Sequence, residues 1–325
     1  MKAITHSAYG PPEVLRFSEV VKPVPRDDEV LVRIRAASVN PLDWHYMRGA
    51  PYILRLMAGW SRPRVTRLGV DMAGTVEAAG RNVTQFKPGD EVFGACRGAL
   101  AEYVCAAEGR VVPKPANVTF AQAAAVPVAA LSALQALRDK GRIQPGQKVL
   151  INGAAGGVGT FAVQLARSFG AEVTGVCSTR NVELVLSLGA HHAVDYTRGN
   201  FTQSGRRYDL ILDSIGNHAS ADLRRALTPD GIAVLVGGPN EGQWLGPMTG
   251  MLMAVASSWF SRQKLRPFLA SLNKADLLIM RELLQTGTVT AVIDRTYPLQ
   301  DVPAAIHYLE AGHARGKIVI TMAGA

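Results

Sequence analysis

Between residues 29 and 115, apolar positions come in short runs broken by glycine, proline and aspartate. "EVLVRIRAASVN" (29–40), "AGTVEAAG" (73–80), "KPGDEVFG" (87–94), "AEYVCA" (101–106) and "RVVPKP" (110–115) each read as a strand with its turn. After about residue 123 the texture changes. "KVLIN" (148–152) is a short apolar run. Phe161, Leu165, Ala166 and Phe169 then recur at helical spacing, with Gly170 behind them as a stop. "EVTGVC" (172–177) predicts a second strand and "VELVLSLG" (182–189) a second helix. "HAVDY" (192–196), "YDLILDSI" (208–215) and "IAVLVGG" (232–238) continue the strands, with "SADLRRALTPDG" (220–231) as helix and turn between the last two. Strand, helix, strand in series implies parallel strands with crossover helices, a doubly wound sheet. Beyond 270, "KADLLIMRELLQTG" predicts a helix. Strands "VTAVIDRTYPL" and "GKIVITM" then flank a short helix, "VPAAIHYLEAG". The fold class is α/β, with a β-rich first part and a doubly wound parallel sheet after it.

A chain of 325 residues has room for two such cores. Lys and Arg exceed Asp and Glu by nine, a basic excess that suits an anionic partner. It is not clustered with interleaved aromatics, so no nucleic-acid partner is expected. Cys96, Cys105 and Cys177 are odd in number and far apart, without CxxC or Cys/His zinc spacing. That usage suits a reducing, cytoplasmic setting. The opening "MKAITHSAYGPPEV" lacks the apolar core of a secretory signal. The most lipid-like stretch, 244–260, contains Pro247 and falls short of the ~20 apolar residues of a spanning helix.

The candidate chemistry begins at "AAGGVGTF" (154–161), between a strand and an amphipathic helix. Aligned on GxGxxG it reads Ala154, Ala155, Gly156, Gly157, Val158, Gly159, with alanine at the first glycine position. Gly156 lets the backbone approach a pyrophosphate, and Gly159 lets helix and strand pack closely. The helix start offers unpaired N–H groups to the phosphates. A tight packing turn without ligand is the plainer alternative. A site for NAD usually places an acid at the end of the next strand. This chain has Cys177, Ser178, Thr179, Arg180 and Asn181 there. Ser178 and Arg180 suit a 2′-phosphate, which an acid would repel, so the expected cofactor is NADP(H).

These residues, with "NPLDW" (40–44), "GVDMAGTVEAAG" (69–80), "FKPGDEVFG" (86–94), "SRQKLRPFL" (261–269) and "GKIVI" (316–320), resemble the medium-chain dehydrogenase/reductase superfamily. The likeness is to its zinc-free quinone oxidoreductase branch, and most to the enone oxidoreductase and quinone-oxidoreductase-homologue group. The resemblance runs over essentially the whole chain. It implies a GroES-like catalytic domain at 1–122 and 271–325, and a Rossmann NADP(H)-binding domain at 123–270. Zinc enzymes of the superfamily place ligands at the positions of Asn40, of the Gly69–Val70–Asp71 tripeptide and near Pro127, where this chain has neither Cys nor His. Three ligands and an open position cannot be assembled there, so no metal is expected.

The resemblance further implies hydride transfer from NADPH to the β-carbon of an α,β-unsaturated ketone or aldehyde. Reduction of a quinone on the same scaffold is the alternative, and a non-catalytic NADPH-binding module a third reading. The expected partner is therefore a small lipophilic carbonyl or quinone. Asn40 matches the position beside the nicotinamide. Tyr46 and Tyr52 are candidates for polarising the carbonyl or supplying the proton, with pocket wall as the plainer role. His45 stands where the enone group commonly carries lysine. Tyr196, Ser214, Gly237, Gly238 and Lys317 match places where the family meets cofactor, although a plain turn explains the two glycines equally well. A homodimer is the family expectation. From Trp44 to Val70 the chain has no acid but carries Arg48, Arg55, Arg62, Arg64 and Arg67 among apolar residues. That segment suits a lid over a lipophilic or anionic substrate, a weak contact with an anionic membrane surface, or a solvated loop. The 244–260 stretch has the choices of substrate channel, dimer interface and lipid.

Overall fold

The computed structural model describes residues 1–237 and 261–322. Gly238 and the apolar stretch 244–260 lie outside the described residues. β1 (Lys2–Thr5) and β2 (Arg16–Glu19) form an antiparallel pair. β3 (Glu29–Val39) leads into α1 (Pro41–Arg48) and α2 (Leu54–Ala58). β4 (Asp71–Ala79), β5 (Glu91–Ala95), β6 (Tyr103–Ala107) and β7 (Val111–Pro113) complete the strands expected from the apolar runs. α3 (Phe120–Ala124) and α4 (Pro127–Gln135) follow.

The alternating region gives β8 (Lys148–Asn152), α5 (Gly157–Ser168), β9 (Glu172–Cys177), α6 (Val182–Ser187) and β10 (His192–Asp195). β11 (Tyr208–Asp213), α7 (Ser220–Ala226), β12 (Leu227–Leu235) and β13 (Lys264–Pro267) follow. All six strands are parallel, in the order β10-β9-β8-β11-β12-β13. Val149, Leu150 and Ile151 are fully buried, as continuous apolar runs are in a parallel sheet covered on both faces. The order reverses between β8 and β11, whose last residues Asn152 and Asp213 are register partners. Such a switch point is where doubly wound sheets bind ligands.

The chain then returns to the first sheet through α8 (Lys274–Gln285), β14 (Ile293–Pro298), α9 (Val302–Glu310) and β15 (Lys317–Thr321). β15 pairs antiparallel with β3, giving the order β14-β15-β3-β4-β5-β7 with β6 also on β3. Ile4, Val32, Ile34, Met72, Ile306, Ile318 and Ile320 meet in its core. Residues 1–131 and 272–325 form one compact unit, and 132–271 the other. The first boundary lies later than 122 because α3 packs on β3 and β4. Two details differ from the pattern reading. "TPDG" is absorbed into the start of β12 by a register shift opposite Tyr208–Leu210. The strand β13 was hidden by Lys264 and Arg266, polar residues tolerated on an edge.

Candidate functional site

The glycine turn joins β8 to α5. Gly153, one residue before the aligned motif, takes the left-handed conformation (φ +83°) that alanine at 154 could not easily supply. Ala154 is fully buried and donates its N–H to Val176 O at 3.0 Å, which gives it a packing role. A Cβ on Gly159 would lie 2.0 Å from Gly153 O, so its hydrogen is needed for helix and strand to approach. Gly156 is different. A Cβ there would meet only Gly153 O, at 3.4 Å, and its φ of −82° suits any residue. Gly156, Gly157 and Val158 are partly exposed at the start of a twelve-residue helix, where first-turn N–H groups lack intrahelical partners. The packing of the protein therefore explains Gly159, whereas the space at Gly156 is left for something else. The first-turn N–H groups beside it are of the kind that hold a pyrophosphate.

Ser178, Arg180 and Tyr196 gather at the carboxyl ends of β9 and β10. Ser178 precedes a short turn, Thr179–Asn181, and its Oγ accepts from Asn181 Nδ2 at 3.1 Å. Arg180 is exposed, and Tyr196, 61% exposed, is anchored by its N–H to Cys177 O at 3.0 Å. One residue was missed by the sequence reading. Asp195, the register partner of Cys177, places an acid beside this strand end after all. It accepts from Thr179 Oγ1 (2.6 Å), Thr197 N (2.9 Å) and Thr197 Oγ1 (2.8 Å), and the Thr179 bond foremost holds its carboxyl below the usual range. Its neighbourhood comes from strand pairing, which linear spacing does not reveal. At the switch point, Ser214 Oγ donates to Asn152 O at 2.7 Å. A Cβ on Gly237 would meet Ser214 O at 2.3 Å, so packing between strand ends accounts for that glycine.

In the other unit, Asn40 follows β3, stands at the N-cap of α1 and is 2% exposed. Its Oδ1 accepts from Lys317 Nζ at 2.5 Å and its Nδ2 donates to Asp71 Oδ2 at 2.8 Å. Lys317 Nζ also reaches Val39 O (3.1 Å) and Asp71 Oδ2 (3.5 Å). Its three N–H donors thus serve protein acceptors. Burial lowers the Lys317 pKa, against the opposing pull of Asp71 and Asp43. Asp43 accepts from Asn40 N (2.8 Å) and Gly69 N (3.0 Å), tying α1 to the start of β4. Burial pushes its carboxyl up to about 7.

His45 stacks on Trp44, with ring centroids 3.7 Å apart, and its Nδ1 lies 2.8 Å from Ala50 O. A carbonyl only accepts, so Nδ1 carries the proton and Nε2 presents a lone pair. Burial lowers the His45 pKa, against the bond to Ala50 O that raises it, and in the neutral ring Nε2 is an acceptor. Tyr46 packs against the core of its unit. The Tyr52 ring faces the Arg55 guanidinium at 4.5 Å, with Tyr9 against the same guanidinium at 4.5 Å. The arginine-rich segment is thus partly committed. Arg55 donates to Gly49 O at 2.9 Å, and Arg48 forms a bidentate pair with Glu310. Arg62 and Arg64 are exposed, beside Leu56 (66%), Met57 (80%) and Trp60 (62%).

The pattern of the alcohol dehydrogenase GroES-like domain matches residues 26–116, and that of the zinc-binding dehydrogenase matches 188–320. A chloroplastic quinone-oxidoreductase homolog of Spinacia oleracea is 35% identical, over 98% of each chain. The chain belongs to the quinone oxidoreductase branch of the medium-chain dehydrogenases/reductases. The 2-methylene-furan-3-one reductase of Solanum lycopersicum is also 35% identical, over 98% of this chain and 79% of that one. Among solved structures, the quinone oxidoreductase of Coxiella burnetii superposes with a TM-score of 0.88 at 29% identity, over 99% of each chain. The Escherichia coli quinone oxidoreductase complexed with NADPH gives 0.84 at 25%, over 99% of this chain and 100% of that one. The GroES-like and Rossmann folds of the branch are the two units described above. Among the described residues, no group of three or more His, Cys, Asp or Glu could hold a metal.

Proposed function

We propose that this chain is an NADPH-dependent reductase of α,β-unsaturated ketones and aldehydes. The observation that carries the reading is the space above Gly156, a cradle for phosphates on the same unit as Ser178, Arg180 and Tyr196. The tomato relative is named a 2-methylene-furan-3-one reductase, and an Arabidopsis thaliana relative, 33% identical, an NADPH-dependent alkenal/one oxidoreductase. When bound, NADPH supplies a hydride to the electron-poor β-carbon. The first-turn N–H groups at Gly157 and Val158 would hold the phosphates, and Arg180 would pair with the 2′-phosphate. On the other unit, His45 Nε2 is an acceptor suited to a hydroxyl, and the remaining Asn40 N–H is a donor suited to an oxygen on which charge develops. The α-carbon would take its proton from water. Reduction of a quinone stands beside this reading, supported by the names of the spinach and E. coli relatives.

One reaction decides. A simple enone is reduced with NADPH deuterated at the transferable C4 position, and mass spectrometry locates the label. Deuterium on the β-carbon is the expected result. Deuterium on the carbinol carbon overturns it, and no labelled product moves the assignment to quinones, or to a binding module if quinones are also inert. We also infer a cytoplasmic homodimer; its support is the three free cysteines and the family resemblance. Light scattering and fractionation test those points. Weak contact of Leu56, Met57, Trp60, Arg62 and Arg64 with anionic lipid is supported by their exposure, and absence of co-sedimentation with anionic vesicles removes it.

A further inference from the structure

Asn40 has one N–H that no protein acceptor takes among the described residues, and both of its other polar positions touch charge. We propose that Lys317 and Asp71 are positioning residues that fix the Asn40 amide in one orientation and strengthen that free N–H as the donor to the substrate oxygen. The proposal rests on the function read above and assigns a source for the polarising power of its site.

The geometry allows a single arrangement. Turning the amide over would set its NH2 against the Lys317 ammonium and its oxygen against the Asp71 carboxylate, two repulsive contacts in place of two attractive ones. Neither charge can step aside. Asp71 Oδ2 also accepts from Ser38 Oγ at 2.9 Å, and Asp71 Oδ1 accepts from Val128 N at 2.9 Å at the start of α4. Lys317 is held by Val39 O as well. The Lys317 side chain is 4% exposed and that of Asp71 fully buried, so water does not screen the pair.

The chemistry follows from the placement. A cation at the amide oxygen and an anion at one N–H both favour the resonance form with a C–O single bond and a C=N double bond. That form places positive charge on nitrogen, and the second N–H becomes a better donor. Such a donor gains most where negative charge develops during reaction, as it does on a carbonyl oxygen whose conjugated β-carbon receives hydride. A buried ion pair is weak evidence for stability, because apolar or neutral replacements of both partners are often tolerated. That property separates a positioning role from a structural one.

The test compares the wild type with the double variant Lys317→Met/Asp71→Asn, the single variant Asn40→Ala, and the triple variant. Removing both charges together leaves neither partner of the pair alone, and the nearby Asp43 carboxyl, pushed up to about 7, stays protonated at pH 6, so at that pH the double variant is expected to fold with a native circular dichroism spectrum. Its kcat for the enone should fall about tenfold, with the KM for NADPH within about twofold of wild type. In the Asn40→Ala background the same two substitutions should change kcat by less than about twofold. A folded double variant with full kcat overturns the proposal, and so does an equal loss in the Asn40→Ala background. A second measurement needs no charge removal. The Asn40 side-chain amide of the wild type, assigned through its loss in Asn40→Ala, should give two widely separated proton resonances that exchange slowly. One averaged, rapidly exchanging pair overturns the fixed orientation. If the wild type reduces neither enone nor quinone, the functional reading fails while the amide spectrum still decides the geometry.

Discussion

Replacing Gly156 by alanine should leave the protein at least as stable while removing its cofactor, whereas Gly159→Ala should damage the fold itself. At 156 the backbone is extended, at φ −82° and ψ 178°, and the new Cβ meets one atom at 3.4 Å, an ordinary contact. The substitution restricts the unfolded chain and should stabilise the free protein by about 0.4–1 kcal/mol. At 159 the new Cβ lies 2.0 Å from Gly153 O and 2.8 Å from two Ala154 backbone atoms. Backbone must move to relieve that overlap, at a cost of about 1–3 kcal/mol or more. Urea melts followed by tryptophan fluorescence give both stabilities. Repeating them with NADPH at a hundredfold excess over Kd should add about 2.7 kcal/mol to the wild type and nothing to Gly156→Ala. If Gly156→Ala keeps that increment, the phosphates do not lie over residue 156 and the cofactor reading loses its main support. If Gly159→Ala melts with the wild type, the tight packing of the turn is refuted.

Three further outcomes are expected. Arg180→Ala should weaken NADPH about 10- to 100-fold and leave NADH nearly unchanged, as fluorescence titrations will report; equal losses for both cofactors would place Arg180 away from the 2′-phosphate. The Asp43 pKa, raised by burial from 3.8 to about 7, means that folding takes up a proton between those values. Its contribution is therefore complete below about pH 4 and is lost as pH rises through about 7, by at most about 1.4 kcal/mol per pH unit. Melts of wild type and Asp43→Asn from pH 5 to 8 should show that decline in the wild type alone. Arg48→Met should cost about 1 kcal/mol or less in the urea midpoint, because the Arg48 side chain of the bidentate pair is 39% exposed, and the difference should shrink in high salt.

The inner strands of the parallel sheet were legible because each carries its own pattern, whereas β13 at its edge was hidden by Lys264 and Arg266. "KVLIN" and "EVTGVC" match β8 and β9 residue for residue, since a buried parallel strand needs only a continuous apolar run. The phosphate turn was legible as a glycine cluster, although the glycine that makes the sharp bend proved to be Gly153. What could not be read depends on pairing between distant segments. Asp195 comes beside Cys177 only through the register of β10 on β9. Lys317 turned inward because β15 lies against β3, bringing its ammonium to a side chain 277 positions earlier. Arg48 and Arg55 looked free in a stretch without acids, yet their partners are Glu310 and backbone carbonyls.

The interrupted layout of the first unit has a consequence for how the chain is made. A ribosome releases Asp71 and Asn40 long before Lys317, and residues 132–271, which form a complete unit of their own, emerge in between. The nucleotide-binding unit can therefore finish folding while the first unit still holds a buried carboxylate without its cation. Until β15 pairs with residues 36–39, that stretch of β3 presents an open edge to other nascent chains. The buried network around Asn40 is in this way completed only after residues 132–271 have emerged.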